Sequence, residues 1–371
     1  MDRPDVLIAG AGPTGLNLAL WLKRLGASVL VVDTSAGPGE TSRAIAVHAR
    51  TLEYYQQLGL AADVVSRGRI ASSIRVRVNA KPVSEFDFGD REDAVHALSP
   101  FPFVLIFPQD EHERLLVEAL RACGVEVRRE TELVGFEDLG DRVRVELTGA
   151  NGAETVEARF LCGCDGAHST VRRGMGSGFP GGTYARVFYV ADVRGTAGAL
   201  DGKMNFCLGG GTFCIALPLD RGGLTRLIGT LERDVADDRP LTFGEVSGVA
   251  AKLTGATFAG CDWFSSYRVH HRVADSFRKG NLFLLGDAGH IQSPAGGQGM
   301  NTGIGDSANL AWKLAAVLRG RAAPAILETY ESERLAFAKA LVGTTDRAFE
   351  MMVGHGPLDH LFRTALVRVA P

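Results

Sequence analysis

Two stretches of this chain combine glycine, carboxylate and apolar residues at spacings that can hold a nucleotide. The first is Gly10-Ala11-Gly12-Pro13-Thr14-Gly15, with Asp33 downstream. In a G-x-G-x-x-G string the first glycine (Gly10) allows a tight turn and the second (Gly12) lets a pyrophosphate approach. The third (Gly15) lets a helix pack closely on a strand. Asp33 would accept ribose hydroxyls, and its charge would repel a 2′-phosphate. The spacing fits FAD or NAD. The second stretch is residues 282–314, LFLLGDAGHIQSPAGGQGMNTGIGDSANLAWKL. Asp287 can accept a ribitol or ribose hydroxyl. Gly289, Gly296, Gly297 and Gly299 let a flat ring lie on the backbone, where any Cβ would intrude. His290, Gln292 and Pro294 stand between the Gly-Asp pair and the glycine loop, and Pro294 fixes φ there. The sequence has no Ser-His-Asp arrangement and no metal-ligand spacing.

These residues need strands and helices to aim them. Val6–Ala9 reads as a short buried strand, residues 16–25 as a helix ending at Gly26, and residues 28–32 as a second strand. That is the context the first motif requires. Residues 282–285 read as a buried strand. After Asn301 the apolar residues Ile304, Ala308, Ala311, Trp312 and Ala315 recur at helical spacing, so a helix begins near Asn301. A strand, a glycine loop and a helix N-terminus present outward N–H groups that welcome negative charge. Residues 101–107 are strongly apolar and lead through Pro108-Gln109 into a helix over 111–123. Residues 125–127 form a third strand of the nucleotide-binding sheet, with a β-meander over 132–137, 142–147 and 155–158 laid across it. The apolar run to Cys164 ends in Asp165-Gly166, and Ser169 is placed to cap the following turn.

The remaining segments read differently. Residues 70–88 alternate polar and apolar, as half-buried strands do. Residues 187–193, 203–208, 212–217 and 224–231 are short strands between glycine turns, an antiparallel sheet and not further βαβ units. Helical spacing returns at 243–253 and again at 325–349. Phe206, Phe213, Ile215 and Pro218 either face an aromatic substrate or pack that sheet. The composition is that of a soluble globular protein, with 46% hydrophobic and 22% charged residues. A net charge of −3 leaves no footprint for nucleic acid or anionic membrane. The N-terminus lacks a signal-peptide pattern, no run reaches membrane-spanning length, and the six scattered cysteines suit free thiols in a cytoplasm.

The strings at 10–15, 158–173 and 282–314, in this order, resemble the fingerprints of the group A flavoprotein monooxygenases, the p-hydroxybenzoate hydroxylase type. Leu327-Glu328-Thr329-Tyr330-Glu331-Ser332-Glu333-Arg334 resembles the aromatic polyketide hydroxylases in particular. The resemblance covers nearly the whole chain and implies FAD as the occupant. It implies that Gly10, Gly12, Pro13, Thr14, Gly15 and Asp33 hold the nucleotide and that Arg43 lies along the flavin. Gln109 would hydrogen-bond the FAD, and Asp165-Gly166 would touch both the pyrophosphate region and the nicotinamide path. Asp287 would hold the ribitol, with Gly297, Gln298, Gly299, Met300 and Asn301 facing the isoalloxazine. Pro294 would line the substrate cavity with Phe206, Phe213 and Ile215. In the resemblance His290 serves loop structure. The catalytic base stays unassigned, with His290 a candidate and Tyr184 and Tyr189 equal alternatives.

The expected fold is α/β: a Rossmann-type FAD-binding domain with a β-meander, an antiparallel-sheet substrate domain, and C-terminal helices. The expected division is 1–70, 104–174 and 276–345 for FAD, 71–103 and 175–275 for substrate, and 346–371 as a helical tail. The family's thioredoxin-like third domain is not expected among these 371 residues. A proline common after the Glu-Arg pair is replaced by Leu335-Ala336-Phe337, which changes a helix bend. No second G-x-G-x-x-G unit is present, so NADPH would dock in a groove near Asp165-Gly166. Reduced flavin and O2 would then form a C4a-hydroperoxide that hydroxylates an aromatic or polyketide-type substrate. The expected assembly is a monomer or homodimer. Rival readings are a non-oxygenating FAD-binding protein, or a halogenase or reductase on the same frame. The halogenase lacks its tryptophan string, since Trp21, Trp263 and Trp312 lie far apart.

Overall fold

The computed structural model describes residues 3–39, 44–87, 98–150, 152–219, 222–232 and 239–353. Its first layer is a six-stranded sheet in the order Arg278–Lys279, Leu282–Leu284, Phe160–Gly163, Val6–Ala9, Val29–Val32, Val127–Arg128. All neighbours are parallel except the Arg278–Lys279 edge. Helices cover parallel sheets on both faces, so such strands are apolar throughout. Val6–Ala9 and Phe160–Gly163 accordingly bury every residue. The register pairs Ala9 with Gly163 and Gly163 with Leu284. Three strand ends separated by more than a hundred residues therefore finish side by side. Ligands of open parallel sheets bind at this carboxyl edge. The meander Thr131–Asp138, Val143–Gly149, Gly152–Ala158 forms its own three-stranded sheet.

The second layer is an eight-stranded roof, in the order His290–Ile291, Thr257–Val273, Gly181–Thr196, Thr225–Glu232, Thr212–Pro218, Met204–Gly209, Ser73–Val78, Lys81–Asp87. Its residues alternate between two apolar clusters, as the pleat demands. Val187, Tyr189, Ala191, Cys207, Cys214 and Ala216 pack on one face beneath the helix Phe243–Thr254. Phe188, Leu208 and Phe213 pack on the other, with Phe206, Ile215 and Tyr184 beside them. Ile215 also meets Ile45 and Ile106 of the cofactor layer, which places this second face toward the cofactor.

Several boundaries differ from expectation. The strand expected over 187–193 extends over Gly181–Thr196, and its partner Thr257–Val273 is not legible in the sequence at all. Most of Thr257–Val273 is half-buried, so no in–out alternation marks it. The helix expected near Asn301 starts at Gln298, because Gly297 supplies a left-handed N-cap (φ +64°). The helix expected from Glu111 starts at Gln109. Trp312, counted with the inward residues of its helix, is 48% exposed. The last helix, Glu328–Val353, spans residues 345 and 346, on either side of which the FAD domain and the helical tail are expected.

Candidate active site

The first glycine motif has the geometry its spacing predicts. Gly10 has φ +102°, a conformation L side chains rarely adopt, and a Cβ there would collide with Cys164 O. A Cβ on Gly15 would collide with Gly10 O, so that glycine allows helix Pro13–Arg24 to lie on its strand. Gly12 differs, because a Cβ there would meet no atom within 4 Å. Its smallness answers to nothing in the protein, and that open space is where a pyrophosphate would approach. Asp33 accepts the Ala11 N–H at 2.6 Å and the Ser35 N–H at 2.8 Å, with Arg129 at 3.6 Å. The carboxylate is thereby fixed at the loop's flank.

Thr14 connects this motif to the third one. Its hydroxyl fills the space left by Gly286 and Gly303: a Cβ on Gly286 would lie 2.7 Å from it, and one on Gly303 would clash outright. Neither contact was legible in the sequence, although Gly303 inside a helix was a signal for one. Gly296 and Gly297 both have positive φ, +76° and +64°, and turn the chain into helix Gln298–Leu318. Asn301 was expected to face the flavin, but its side chain is fully engaged within the protein. Its Oδ1 accepts from His48 N–H (3.0 Å) and Thr51 Oγ1 (2.7 Å), and its Nδ2 donates to Ala46 O and Gly297 O. Asn301 thus moors the segment before helix Ala49–Leu58 to the glycine loop. Asp287 is exposed on the turn Gly286–Ala288 at the strand end.

The middle motif sits between them. Asp165 Oδ2 accepts the N–H groups of Thr170 and Val171, and Ser169 caps the short helix by accepting from Arg172 N–H at 2.9 Å. Arg172 donates to Ala288 O and Ala167 O, both at 2.8 Å, and so ties the second and third motifs together. Gln109 donates from Nε2 to Glu113 Oε1, and Glu113 Oε2 accepts the Gly39 N–H. Burial pushes the Glu113 carboxyl up against the pull of these two hydrogen bonds. Arg43 lies outside the described residues. Asp165 Oδ1 and Gln292 Nε2 are buried without a hydrogen-bond partner, and Gln292 Nε2 points at Gly299. Buried polar groups normally have partners. Two orphans and an open glycine loop on one edge suit a polar ligand of FAD's kind.

His290 is 1% exposed and occupies a closed network. Its Nε2 lies 2.7 Å from Asp306 Oδ2, which also accepts the Gly286 N–H, while Arg334 Nε donates to Asp306 Oδ1 at 2.6 Å. Its ring stacks near Phe277. Burial alone would depress the imidazole pKa, but the Asp306 carboxylate outweighs it and holds the pKa above the ordinary value. The string 327–334 explains itself here. Tyr330 donates to Leu284 O, Glu331 accepts the N–H groups of Phe277 and Arg278, Glu333 pairs with buried Lys313, and Arg334 reaches Asp306. The sequence hinted at this clamp through four polar side chains in two turns of a helix.

Of the alternative bases, Tyr189 lies on the roof face away from the cofactor and is fully buried. Tyr184 is on the near face, where burial and its hydrogen bond to Asp346 hold the phenol protonated well above neutral pH. Phe206, Phe213 and Ile215 do share the near face. A cavity of about 370 Å³ opens beside this region, but His271, Arg272, Asp275, Lys339 and Asp346 line it. Pro180, Val273, Ala274 and Val342 complete its wall, so apolar and charged side chains share it. Among the described residues no cluster of His, Cys, Asp or Glu is placed to hold a metal, and no helix is long and apolar enough to cross a membrane.

Residues 3–345 match the model of the FAD binding domain family. The chain is 37% identical over 351 residues to 6-methylpretetramide 4-monooxygenase of Streptomyces rimosus, covering 94% of this chain and 62% of that relative. Among solved structures, p-nitrophenol 4-monooxygenase from Pseudomonas putida superposes with a TM-score of 0.87 at 27% identity, covering 99% of this chain and 94% of that one. Aklavinone-11 hydroxylase, solved as a ternary complex with FAD and aklavinone, superposes with a TM-score of 0.82 at 28% identity, covering 95% and 70%. The conjunction of three motifs on one sheet edge, a roof with an aromatic near face and these likenesses leads to one assignment: the chain belongs to the FAD-dependent aromatic monooxygenases of the p-hydroxybenzoate hydroxylase type.

Proposed function

We propose that this chain is a single-component, FAD-dependent hydroxylase of an aromatic or polyketide-type small molecule, consuming O2 and NADPH. One observation carries the reading: Gly10, Asp165 and Gly286 start from adjacent strand ends, beneath a roof face bearing Phe188, Phe206, Phe213 and Ile215. When bound there, FAD supplies the electron transfer and the activation of oxygen, chemistry that belongs to the cofactor. The protein's share is position, dryness and charge. Gly12 and the first-helix N-terminus would take the pyrophosphate, and Asp33 the ribose. Asp287 would take the ribitol. Gly297, Gln298, Gly299 and Met300, with the N-terminal end of their helix, would stabilise negative charge on the ring. Pro294 and the aromatic near face would hold the substrate and exclude water.

The reductant needs a cationic approach. His270 lies in the field of Arg272, His168 and His271, and Arg172 in that of Arg173 and Arg272. His168 follows Asp165-Gly166 closely and Arg272 also lines the cavity beside Asp346, so we assign the NADPH phosphates to this cationic surface. His290, locked to Asp306, is assigned loop structure and not proton transfer. The earlier division still serves under this reading, with 1–70, 104–174 and 276–345 for FAD and 71–103 and 175–275 for substrate. A cytoplasmic location fits six free cysteines.

The test is a panel of phenolic and quinonoid ring systems offered to the FAD-loaded protein. The expected result is stimulated NADPH consumption with a product heavier by one oxygen atom. Bound FAD without stimulation by any ring compound would leave the non-oxygenating flavoprotein reading in its place.

A further inference from the structure

The aromatic near face of the roof is not lined by the roof alone. Phe349, four turns beyond the Arg334 clamp on the last helix, inserts its ring there and is 3% exposed. It lies 5.3 Å from Phe188 at 29° to its plane, 4.7 Å from Tyr184, and 6.3 Å from Phe213 in an edge contact. One turn earlier Asp346 accepts from the Tyr184 hydroxyl and lies 3.2 Å from His271 Nδ1. The helix end is therefore held to the roof by one carboxylate and one ring. Phe188, Phe206 and Phe213 are borne by strands and cannot withdraw without unpairing the sheet. Phe349 stands on a helix whose other ties lie at Tyr330 to Arg334, so its volume is set independently of the sheet.

We propose that Phe349 is the residue that sets substrate size: its ring fills part of the aromatic face, so the wild-type protein favours smaller phenols, and a smaller side chain admits a larger ring system. The proposal rests on the reading that an aromatic substrate binds against this face. The contact geometry supports it: at 5.3 Å and 29° the Phe349 and Phe188 rings touch, so removing the Phe349 ring is what frees space for another flat ring on this face. Asp346 and Tyr184 act as positioning residues that aim the helix end. They do not exchange protons with the substrate.

The experiment uses the FAD-loaded full chain with phenol, 1-naphthol and 1-anthrol. Two readouts are taken: perturbation of the bound-flavin absorbance, which gives a Kd, and stimulated NADPH oxidation, which gives kcat and KM. In Phe349→Ala the preference for 1-anthrol over phenol should rise by about tenfold or more, the scale on which pocket volume discriminates. The change should appear in Kd and KM more than in kcat. Phe349→Leu should fall between, and it serves if the alanine variant loses FAD or folds poorly. Phe349→Trp should narrow the range. An unchanged ring-size order across these variants, with FAD retained and phenols still binding, overturns the role of Phe349 alone. No spectral response to any ring compound in wild type or variants overturns the aromatic-substrate reading, and this inference with it.

Discussion

At the scale of single residues, charge placement decides what His290 and Asp287 do. The imidazole of His290 is buried against Asp306, and Arg334 holds the same carboxylate from its other oxygen. The folded pKa of His290 is raised, so the stabilisation is fully present below the unfolded value of about 6.5 and is lost as pH rises through the folded pKa. Thermal midpoints of wild type should therefore decline from about pH 6.5 upward more steeply than those of His290→Asn. Parallel curves for the two proteins would show that no proton is linked to folding there. Asp287 presents the contrast. It is exposed at the turn Gly286–Ala288, where its charge adds to that of Asp306 in raising the His290 pKa. Asp287→Ala should weaken FAD binding by roughly 1.5–3 kcal/mol, the worth of a charge-assisted hydrogen bond. An FAD titration with wild-type affinity would remove Asp287 from the cofactor site.

At the scale of elements, the strand Val6–Ala9, its glycine loop and the helix Pro13–Arg24 separate folding from binding within six residues. Gly15→Ala places a Cβ against Gly10 O and must push the helix off its strand. Gly12→Ala meets nothing within 4 Å, at an ordinary φ of −75°. The expected outcome is a less stable apoprotein for Gly15→Ala only, and weaker FAD binding for both. Apo stability that falls equally in the two variants would show that Gly12 has a packing role. The glycine motifs were legible because backbone geometry leaves few alternatives to glycine at φ +102° or against another backbone. The buried strands were legible because both faces are covered. Thr257–Val273 was not, since partial burial on both sides erases the period. The mooring of His48 by Asn301 and the wedging of Thr14 were illegible for another reason: each joins residues more than two hundred and fifty positions apart, and a local pattern carries no trace of such a partner.

At the scale of the whole molecule, the question is whether the cofactor layer and the roof unfold together. Among the described residues, three of the ties that cross between them stand out. The His290–Ile291 strand of the glycine loop pairs with Thr257–Val273 of the roof. The last helix grips Leu284 and Asp306 at one end and inserts Phe349 into the roof at the other. Ile45 and Ile106 share a cluster with Leu217 and Ile215. FAD binds only the folded state under the proposed reading, so each tenfold rise in free FAD above Kd adds about 1.4 kcal/mol. That should raise the midpoint by roughly 2 °C in a chain of this length. Tryptophans allow the layers to be watched separately. Trp21 and Trp312 lie on cofactor-layer helices, and Trp263 lies in the roof, near the Arg226 guanidinium. A variant with Trp21→Phe and Trp312→Phe reports on the roof alone, and Trp263→Phe reports on the cofactor layer. With the three ties intact, both fluorescence melts should coincide and should move upward together as FAD is added. If the Trp263 signal melts at a midpoint indifferent to FAD while the Trp21 and Trp312 signal follows it, the ties are weaker than the layers' own cores. The roof would then be a separate cooperative unit, and the cofactor's influence would end at the glycine loop.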